Sequence, residues 1–483
     1  MSLTVGPRDP EFGSASASSW AAWAEHELGS AELGDARRTK RLVRIMSRFM
    51  AKPLALIPGA SVDWAEAKAT YRFMDNAKVE ADAILAPHRV RTLERAASHE
   101  VVLAIGDTAM LDYTDHPRTI GLGPLADLEH QGLLLHPTLV VTPERVPLGL
   151  IDHFVWTRNE ETFATGEKSE LAERPIEEKE SFKWLRSLES AENAQEALKK
   201  SGARTLVVSV FDREGDVFDV LAKAANTSCA LLVRAMSDRR VDHEERYLWD
   251  TMDAQEPAGR ITINLPRTPK RKARDAELVI RFGTVTLRPP RNRRVSDGLV
   301  PVAVQVVYAS EVNTPADAEP IQWMLLTTVA VRDLEGALQV LRWYCCRWSI
   351  ELFFRVLKSG CKTEERQLET AERLKRCLIV DSIVAWRVLY LTTCGRDTPD
   401  LPCEVVFEEH EWKALYFFVH RSEAKVPSKP PPLREVTRLI GRLGGHLGRK
   451  GDGEPGQTTV WRGLTRLSDI SNFFLIMRRP GSG

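Results

Sequence analysis

A chain of 483 residues, 43% hydrophobic and 28% charged, has ample apolar material for a large core, and its length points to two to four domains. Lys plus Arg equals Asp plus Glu at 67 each, so net charge is silent about a nucleic-acid partner and local charge has to carry that question. Seven cysteines, odd in number and without a CxxC pair, argue against a disulfide framework or structural zinc site and fit a reducing cytoplasm; no uninterrupted apolar run reaches membrane-spanning length, and the N-terminus lacks a signal-peptide core.

Residues 1–18, MSLTVGPRDPEFGSASAS, read as a tag and linker. A first helix is predicted from Ser19. Asp35 is the expected N-cap of a second, ARRTKRLVRIMSRFMAK, in which Leu42, Ile45, Met46 and Phe49 repeat at helical spacing while Arg37, Arg41, Arg44 and Arg48 form a separate cationic row. A third helix runs from Asp63 to Asn76 and another from Glu80 towards Leu93. Residues 19–86 thus read as a small all-helical domain with a basic side.

The composition then changes. VVLAIGDT is an apolar run closing on Asp107, and GLLLHPTLVVTP and VPLGLIDHFVWT read as two further strands. After a helical region from Pro175 to Lys200, RTLVVSVFDREGDVF repeats the pattern with a buried-type strand that ends at Asp212. A short helix over 217–226 and the strand CALLVRAM complete a mixed α/β core, and sheets of this kind place their chemistry at the carboxyl ends of the strands. Residues 238–328 look like a β-rich insertion, within which Arg267 to Arg294 carry ten Lys or Arg against two acids. That run is either a solvated loop or a phosphate track.

No Pro or Gly falls between Ala337 and Ser359, so one long helix is predicted there. At about 100° per residue, Tyr344, Arg347, Glu351 and Lys358 fall in a single stripe. CKTEERQLETAERLKRCLIVDSIVAWRVLYLTTC continues as helix with Leu378, Ile379, Ile383, Val384 and Val388 on an apolar face. Past Thr398 come Pro-rich turns and then helices whose packing face runs through Trp461, Leu464, Leu467 and Phe474.

Three carboxylates, Asp107, Asp212 and Glu351, with no Cys or His beside them, suit a hard oxygen-bound cation, Mg²⁺ or Mn²⁺. Two such ions roughly 3.5–4 Å apart support in-line phosphoryl displacement. Each Asp has a plainer reading as a turn or cap residue, and Asp112, Asp115, Glu214 and Asp216 compete locally. His136 and Ser209 lack a nucleophile motif, no Walker sequence is present, and GDGEPG from Gly451 follows no strand.

The spacing Tyr344-x2-Arg347-x3-Glu351-x6-Lys358, with AIGDT at Asp107, VFDREGD at Asp212, and ELGDARRTKRLV and TYRFMDN near the N-terminus, resembles DDE transposases of the IS4 family. The resemblance implies an RNase H-like mixed-sheet catalytic domain at 87–398 with its β-rich insertion, a helical DNA-binding domain at 19–86 and a C-terminal helical dimerisation domain at 399–483. It also implies that Asp107, Asp212 and Glu351 bind two Mg²⁺ (or Mn²⁺) ions, that Tyr344, Arg347 and Lys358 grip phosphates near the transposon end, and that Trp323 stacks on a flipped base. Arg234, Arg239 and Arg366 match DNA-contacting positions, and Arg37, Arg38, Lys40, Arg41 and Arg72 belong to the helices that recognise terminal inverted repeats. The implied activity is cut-and-paste transposition through a hairpin intermediate. Its partners are double-stranded transposon ends and target DNA, it acts as a homodimer in a bacterial cytoplasm, at the nucleoid, and no membrane is involved. A nuclease of the same fold that cleaves without joining, and an inactive DNA-binding inhibitor of transposition, are the alternatives.

Overall fold

The computed structural model describes residues 19–160, 163, 176–242, 247–265, 273–291, 298–316, 318–397, 400, 402–405, 407, 409–449 and 452–477. Residues 1–18 and the two basic clusters at 266–272 and 292–297 lie outside them. The chain divides into two compact units, one made of 1–99, 108–165 and 349–483, the other of 100–107 and 166–348. These units cut across the boundaries read from the sequence at 86 and 398.

The first unit opens with α1 (Ser19–Leu28), α2 (Ala36–Ala51), α3 (Ile57–Ala60), α4 (Trp64–Asp75) and α5 (Ala81–Ala96). Asp35 caps α2, its carboxylate accepting the Arg37 N–H at 2.8 Å, and Leu42, Ile45, Met46 and Phe49 are buried as their spacing predicts. Asp63 caps α4 through the Glu66 N–H at 2.7 Å.

Strands β2 (Ala109–Asp112), β3 (Gly123–Pro124) and β5 (Pro147–Trp156) each pair antiparallel with β4 (Gln131–Val141), whose register against β5 slips at Thr138/Leu139 and at Val140/Val141. Helix α5 lies on β5 and is tied to it by Arg89, which donates to the Ile151 carbonyl at 2.7 Å, and by Arg95, which donates to that of Leu148 at 2.7 Å.

The helices of the first unit after the break at 348 are α10 (Trp348–Arg355, in this unit from Ser349 on), a π-helical turn Val356–Gly360, α11 (Ala371–Asp397), α12 (Glu409–His420), α13 (Leu433–Leu443) and α14 (Gln457–Met477). Helix α11 is apolar around most of its circumference, and it packs against α2, α4, α5, β5, α13 and α14. Its stretch Ala371–Gly395 is long and apolar enough to cross a membrane by length and composition, and 89% of its apolar 18-residue window is buried inside the fold, as befits the central helix of a core.

The second unit is built on a mixed sheet of seven strands among the described residues, in the order β1-β6-β7-β11-β10-β9-β8. β1 (Val101–Gly106), β6 (Leu206–Phe211) and β7 (Ala230–Arg234) run parallel, and α6 (Phe182–Lys200) and α7 (Phe218–Ala224) pack against them. Both β1 and β6 are buried at every position but the first, which explains why they read as continuous apolar runs. After α8 (Leu248–Asp253), the predicted insertion forms β8 (Gly259–Leu265), β9 (Arg274–Leu287), β10 (Val302–Val312) and β11 (Gln322–Thr327). It is not a separate layer: β11 pairs antiparallel with β7, through Leu325↔Arg234, and carries the sheet onward. Three of the described cations of the basic run are bonded beside this sheet: Arg274 pairs with buried Glu311, Arg281 donates to the Gln255 carbonyl at 3.0 Å, and Arg288 pairs with Asp242 at 2.8 Å, while Arg291 is exposed.

The last helix of this unit, α9 (Leu334–Cys345), is capped by Asp333, which accepts the Gly336 N–H at 2.8 Å. The single long helix predicted over 337–359 does not form. Residues Cys346 and Arg347 make a turn in which each N–H bonds three residues back, at 3.0 Å, before α10 begins. Arithmetic at about 100° per residue therefore fails across the turn, and the four-residue stripe is not a property of one helix.

Candidate active site and nucleic-acid contacts

β1 and β6 pair in parallel up to Ile105↔Val210, so Asp107 and Asp212 each follow by two residues and leave the sheet at equivalent positions. That register is what sets two carboxylates side by side. Asp212 Oδ1 accepts the Glu214 N–H at 2.8 Å and caps the 3-10 turn Arg213–Gly215. Asp107 Oδ2 accepts a hydrogen bond from Arg347 at 2.8 Å, with side chains 16% and 15% exposed. Arg347 lies in the turn, two residues beyond the end of α9 at Cys345.

Tyr344, in the last turn of α9, is 8% exposed. Burial pushes its hydroxyl above the ordinary tyrosine value, Arg347 and Arg234 pull it down, and the negative charge of Asp212 adds to the rise. The phenol accordingly stays protonated at neutral pH and is a hydrogen-bond donor. Arg234 closes β7 and donates to the Gln322 carbonyl at 2.9 Å; the next residue, Trp323, has its ring 6.5 Å from that of Tyr344 at 58°. The second unit thus gathers Asp107, Asp212, Arg234, Trp323, Tyr344 and Arg347 around the carboxyl edge of its parallel strands.

Glu351 and Lys358 belong to the first unit. Glu351 is half-buried in the first turn of α10. Lys358 lies in the π-helical turn, where its ammonium pairs with Glu364 at 3.1 Å and donates to the Met110 carbonyl; Glu364 in turn accepts the Asp112 N–H at 3.0 Å. Among the described residues no three of His, Cys, Asp and Glu are gathered closely enough to hold a metal ion. The donors at Asp107 and Asp212 are nonetheless all oxygen, the set a hard divalent cation selects, and the Arg347 guanidinium shows that Asp107 accommodates a positive charge against its carboxylate.

Two of the basic residues expected on DNA are placed elsewhere. Arg366 is 2% exposed: its fork meets Asp381 at 2.7 and 3.1 Å, it donates to the Ala55 carbonyl at 3.0 Å, and its guanidinium lies 4.5 Å from the Phe49 ring. A guanidinium so enclosed has no face for a phosphate. Arg239 is likewise given to buried Asp216, at 2.8 Å, rather than to the surface.

In the N-terminal helices Arg37, Lys40 and Arg72 are exposed, Arg41 is half-buried, and Arg38 donates to the Leu33 carbonyl at 2.7 Å. The cationic row along α2 is shortened because Arg44 and Arg48 pair with Glu66 at 2.9 and 3.2 Å. In the sequence Asp216 stands out only as a local competitor of Asp212. Its signal was the spacing DREGD, which sets a second carboxylate beyond the turn that Asp212 caps.

Two family models match the chain. Residues 20–79 match a transposase DNA-binding domain, and residues 383–477 match the dimerisation domain of the Tn5 transposase. A DNA-binding module at one end, a dimerisation module at the other and a mixed α/β sheet between them in sequence carry the Tyr-Arg-Glu-Lys spacing and the two strand-end aspartates. Together these matches support a Tn5-like transposase of the IS4 family.

Proposed function

We propose that this transposase cuts and joins DNA by phosphoryl transfer at Asp107, Asp212 and Glu351. The observation that carries the reading is the placement of Asp107 and Asp212 at equivalent positions past two adjacent parallel strands, with Arg347, Tyr344 and Arg234 around them. The aspartates would supply oxygen ligands to a pair of Mg²⁺ or Mn²⁺ ions, and Glu351, by the resemblance, the third carboxylate. When bound, such ions lower the pKa of an attacking water or 3′ hydroxyl and stabilise the leaving oxygen.

The remaining roles fall to the chain's own side chains. Arg347 holds Asp107 in the free protein and would exchange that carboxylate for a DNA phosphate, since a guanidinium fork suits both oxyanions. Tyr344 keeps its proton and donates a hydrogen bond to a phosphate oxygen. Lys358 acts as a point charge near the same strand. Trp323, beside Tyr344, offers a ring on which an extruded base stacks, worth about 1–3 kcal/mol.

The reaction sequence is the one the resemblance implies. Water attacks the phosphorus at the transposon end and releases a 3′ hydroxyl. That hydroxyl attacks the opposite strand and closes a hairpin, a second water opens it, and the hydroxyl then attacks target DNA. Each step is an in-line displacement, so one constellation serves all of them. The active form would be a dimer holding two ends, in the cytoplasm.

The test is to incubate the full chain with its end DNA, a target plasmid and Mg²⁺ and resolve hairpin and joined products. Glu351→Ala should abolish cleavage, by at least about a thousandfold, while leaving end binding intact. Retained cleavage would remove Glu351 from the site, cleavage without joining would make the protein a nuclease, and binding alone an inert DNA binder.

A further inference from the structure

One heavily bonded carboxylate beside the proposed site is not one of the three. Asp216 follows the turn capped by Asp212, and its side chain is wholly enclosed. Its Oδ2 accepts the N–H groups of Met236 at 2.8 Å and Ser237 at 3.1 Å; its Oδ1 accepts from Arg239 Nε at 2.8 Å and pairs with the second guanidinium nitrogen at 2.7 Å. Arg239 also donates to the Asp216 backbone carbonyl, and its guanidinium lies 5.9 Å from the ring of Phe218, the first residue of α7.

One carboxylate therefore ties together the turn after β6, the start of α7 and the loop after β7. The first of these begins at Asp212, and the last begins right after Arg234. Both are irregular backbone whose aim the sheet alone does not fix. A buried carboxylate with four donors, two of them from one guanidinium fork, is rigid and neutralised, so it holds the loop without adding an uncompensated negative charge near Asp212.

We propose that Asp216 and Arg239 form a positioning pair that fixes the Asp212 turn and the Met236–Arg239 loop against each other, so that Arg239 acts through Asp216 and not by gripping DNA. The inference rests on the proposed role of Asp212 in phosphoryl transfer. It assigns to Arg239 a task different from the DNA contact that its position in the sequence implied.

The experiment uses the full chain as Asp216→Asn, Asp216→Ala and the paired Asp216→Asn/Arg239→Gln variant, which removes both charges together and leaves no charge buried alone. Amide hydrogen exchange should speed up by at least about tenfold at Met236 and Ser237 in Asp216→Ala, with α11 unchanged. In Asp216→Asn the maximal cleavage rate should fall by about 10–100-fold at unchanged KM for end DNA, as loss of a group that orients a metal ligand does. In the paired variant, the slope of log affinity for end DNA against log salt should match wild type, whereas losing a phosphate contact would lower it by about one. Unchanged exchange at Met236 and Ser237, an unchanged maximal rate in Asp216→Asn, or a slope lower by one would each overturn the inference. If wild type itself fails to cleave, the reading of Asp212 falls, and exchange and salt slope still decide whether Arg239 serves Asp216 or DNA.

Discussion

Arg347 and Arg366 each set a guanidinium on an aspartate at 2.7–2.8 Å, yet the two pairs do different work. Arg366 and Asp381 are 2% and 1% exposed, bonded twice, and closed in by Phe49 and the Ala55 carbonyl. Arg347 and Asp107 meet at 2.8 Å at the rim of a sheet, with about a sixth of each side chain open to solvent. Neither partner of the core pair can leave without stranding a charge in low dielectric, whereas the rim pair can trade one oxyanion for another. Identical chemistry thus gives a pair closed off from solvent in one place and a pair that solvent reaches in the other, and burial is what separates them.

The largest expected effect breaks the core pair. Asp381→Ala leaves the Arg366 guanidinium buried alone and should cost about 3–5 kcal/mol, read as a fall in the urea midpoint. The double replacement Arg366→Met with Asp381→Leu should recover most of that loss, because an apolar pair of similar volume has no charge to strand. A single variant as stable as wild type would mean that the core pair is as dispensable as a surface one.

At the rim the expectation reverses. Arg347→Gln should change stability by no more than about 1 kcal/mol. Mn²⁺ binding without DNA, followed by loss of the free-ion electron paramagnetic resonance signal, should tighten by about fivefold to tenfold, since the competing charge on Asp107 is gone. The same variant should bind end DNA more weakly, with its salt slope lower by about one. Weaker Mn²⁺ binding would instead make Arg347 a support of the carboxylate rather than its competitor.

Why one of these arginines was legible in the sequence and the other was not follows from the same contrast. Asp107 and Asp212 could be read because buried parallel strands leave uninterrupted apolar runs, and a carboxylate closing such a run stands out. Their pairing could not, because the register Ile105↔Val210 joins residues far apart in the chain. Arg366, in the charged stretch EERQ, looks like surface; its partner stands fifteen residues on, inside an apolar helix, and a buried charge is recognisable only once that partner is placed. The turn at Cys346 and Arg347 has no Gly or Pro to announce it, so local propensity favoured a helix that tertiary packing interrupts. The cationic row of α2 shortened for a similar reason, since Glu66 on another helix takes Arg44 and Arg48.

Another buried pair in the first unit sharpens the comparison by making the cation titratable. Glu27 and His88 are 1% and 0% exposed and bonded at 2.5 Å, and Arg95 meets the same carboxylate at 3.0 Å. His88 Nε2 accepts the Leu150 N–H at 3.0 Å, so the ring is neutral with its proton on Nδ1, directed at Glu27. Burial holds the imidazole below its ordinary value despite the carboxylate. Burial alone would raise Glu27, but Arg95 and His88 outweigh it and hold the carboxyl far below the usual range.

Both groups then bind protons more readily when unfolded. The histidine opposes folding as pH falls below about 6.5, and the glutamate does so as pH falls below its unfolded value of about 4.3. Unfolding free energy should therefore drop by about 1 kcal/mol between pH 7.5 and 5.5, from the histidine alone. His88→Gln, whose amide can donate to Glu27 and accept from Leu150, should remove that slope while keeping stability at pH 7.5 within about 1 kcal/mol of wild type. Urea denaturation of the two proteins at both pH values decides it: a slope that persists in His88→Gln would place the titrating group elsewhere, and a slope of opposite sign would mean that His88 is charged in the fold, as permanently paired as Arg366.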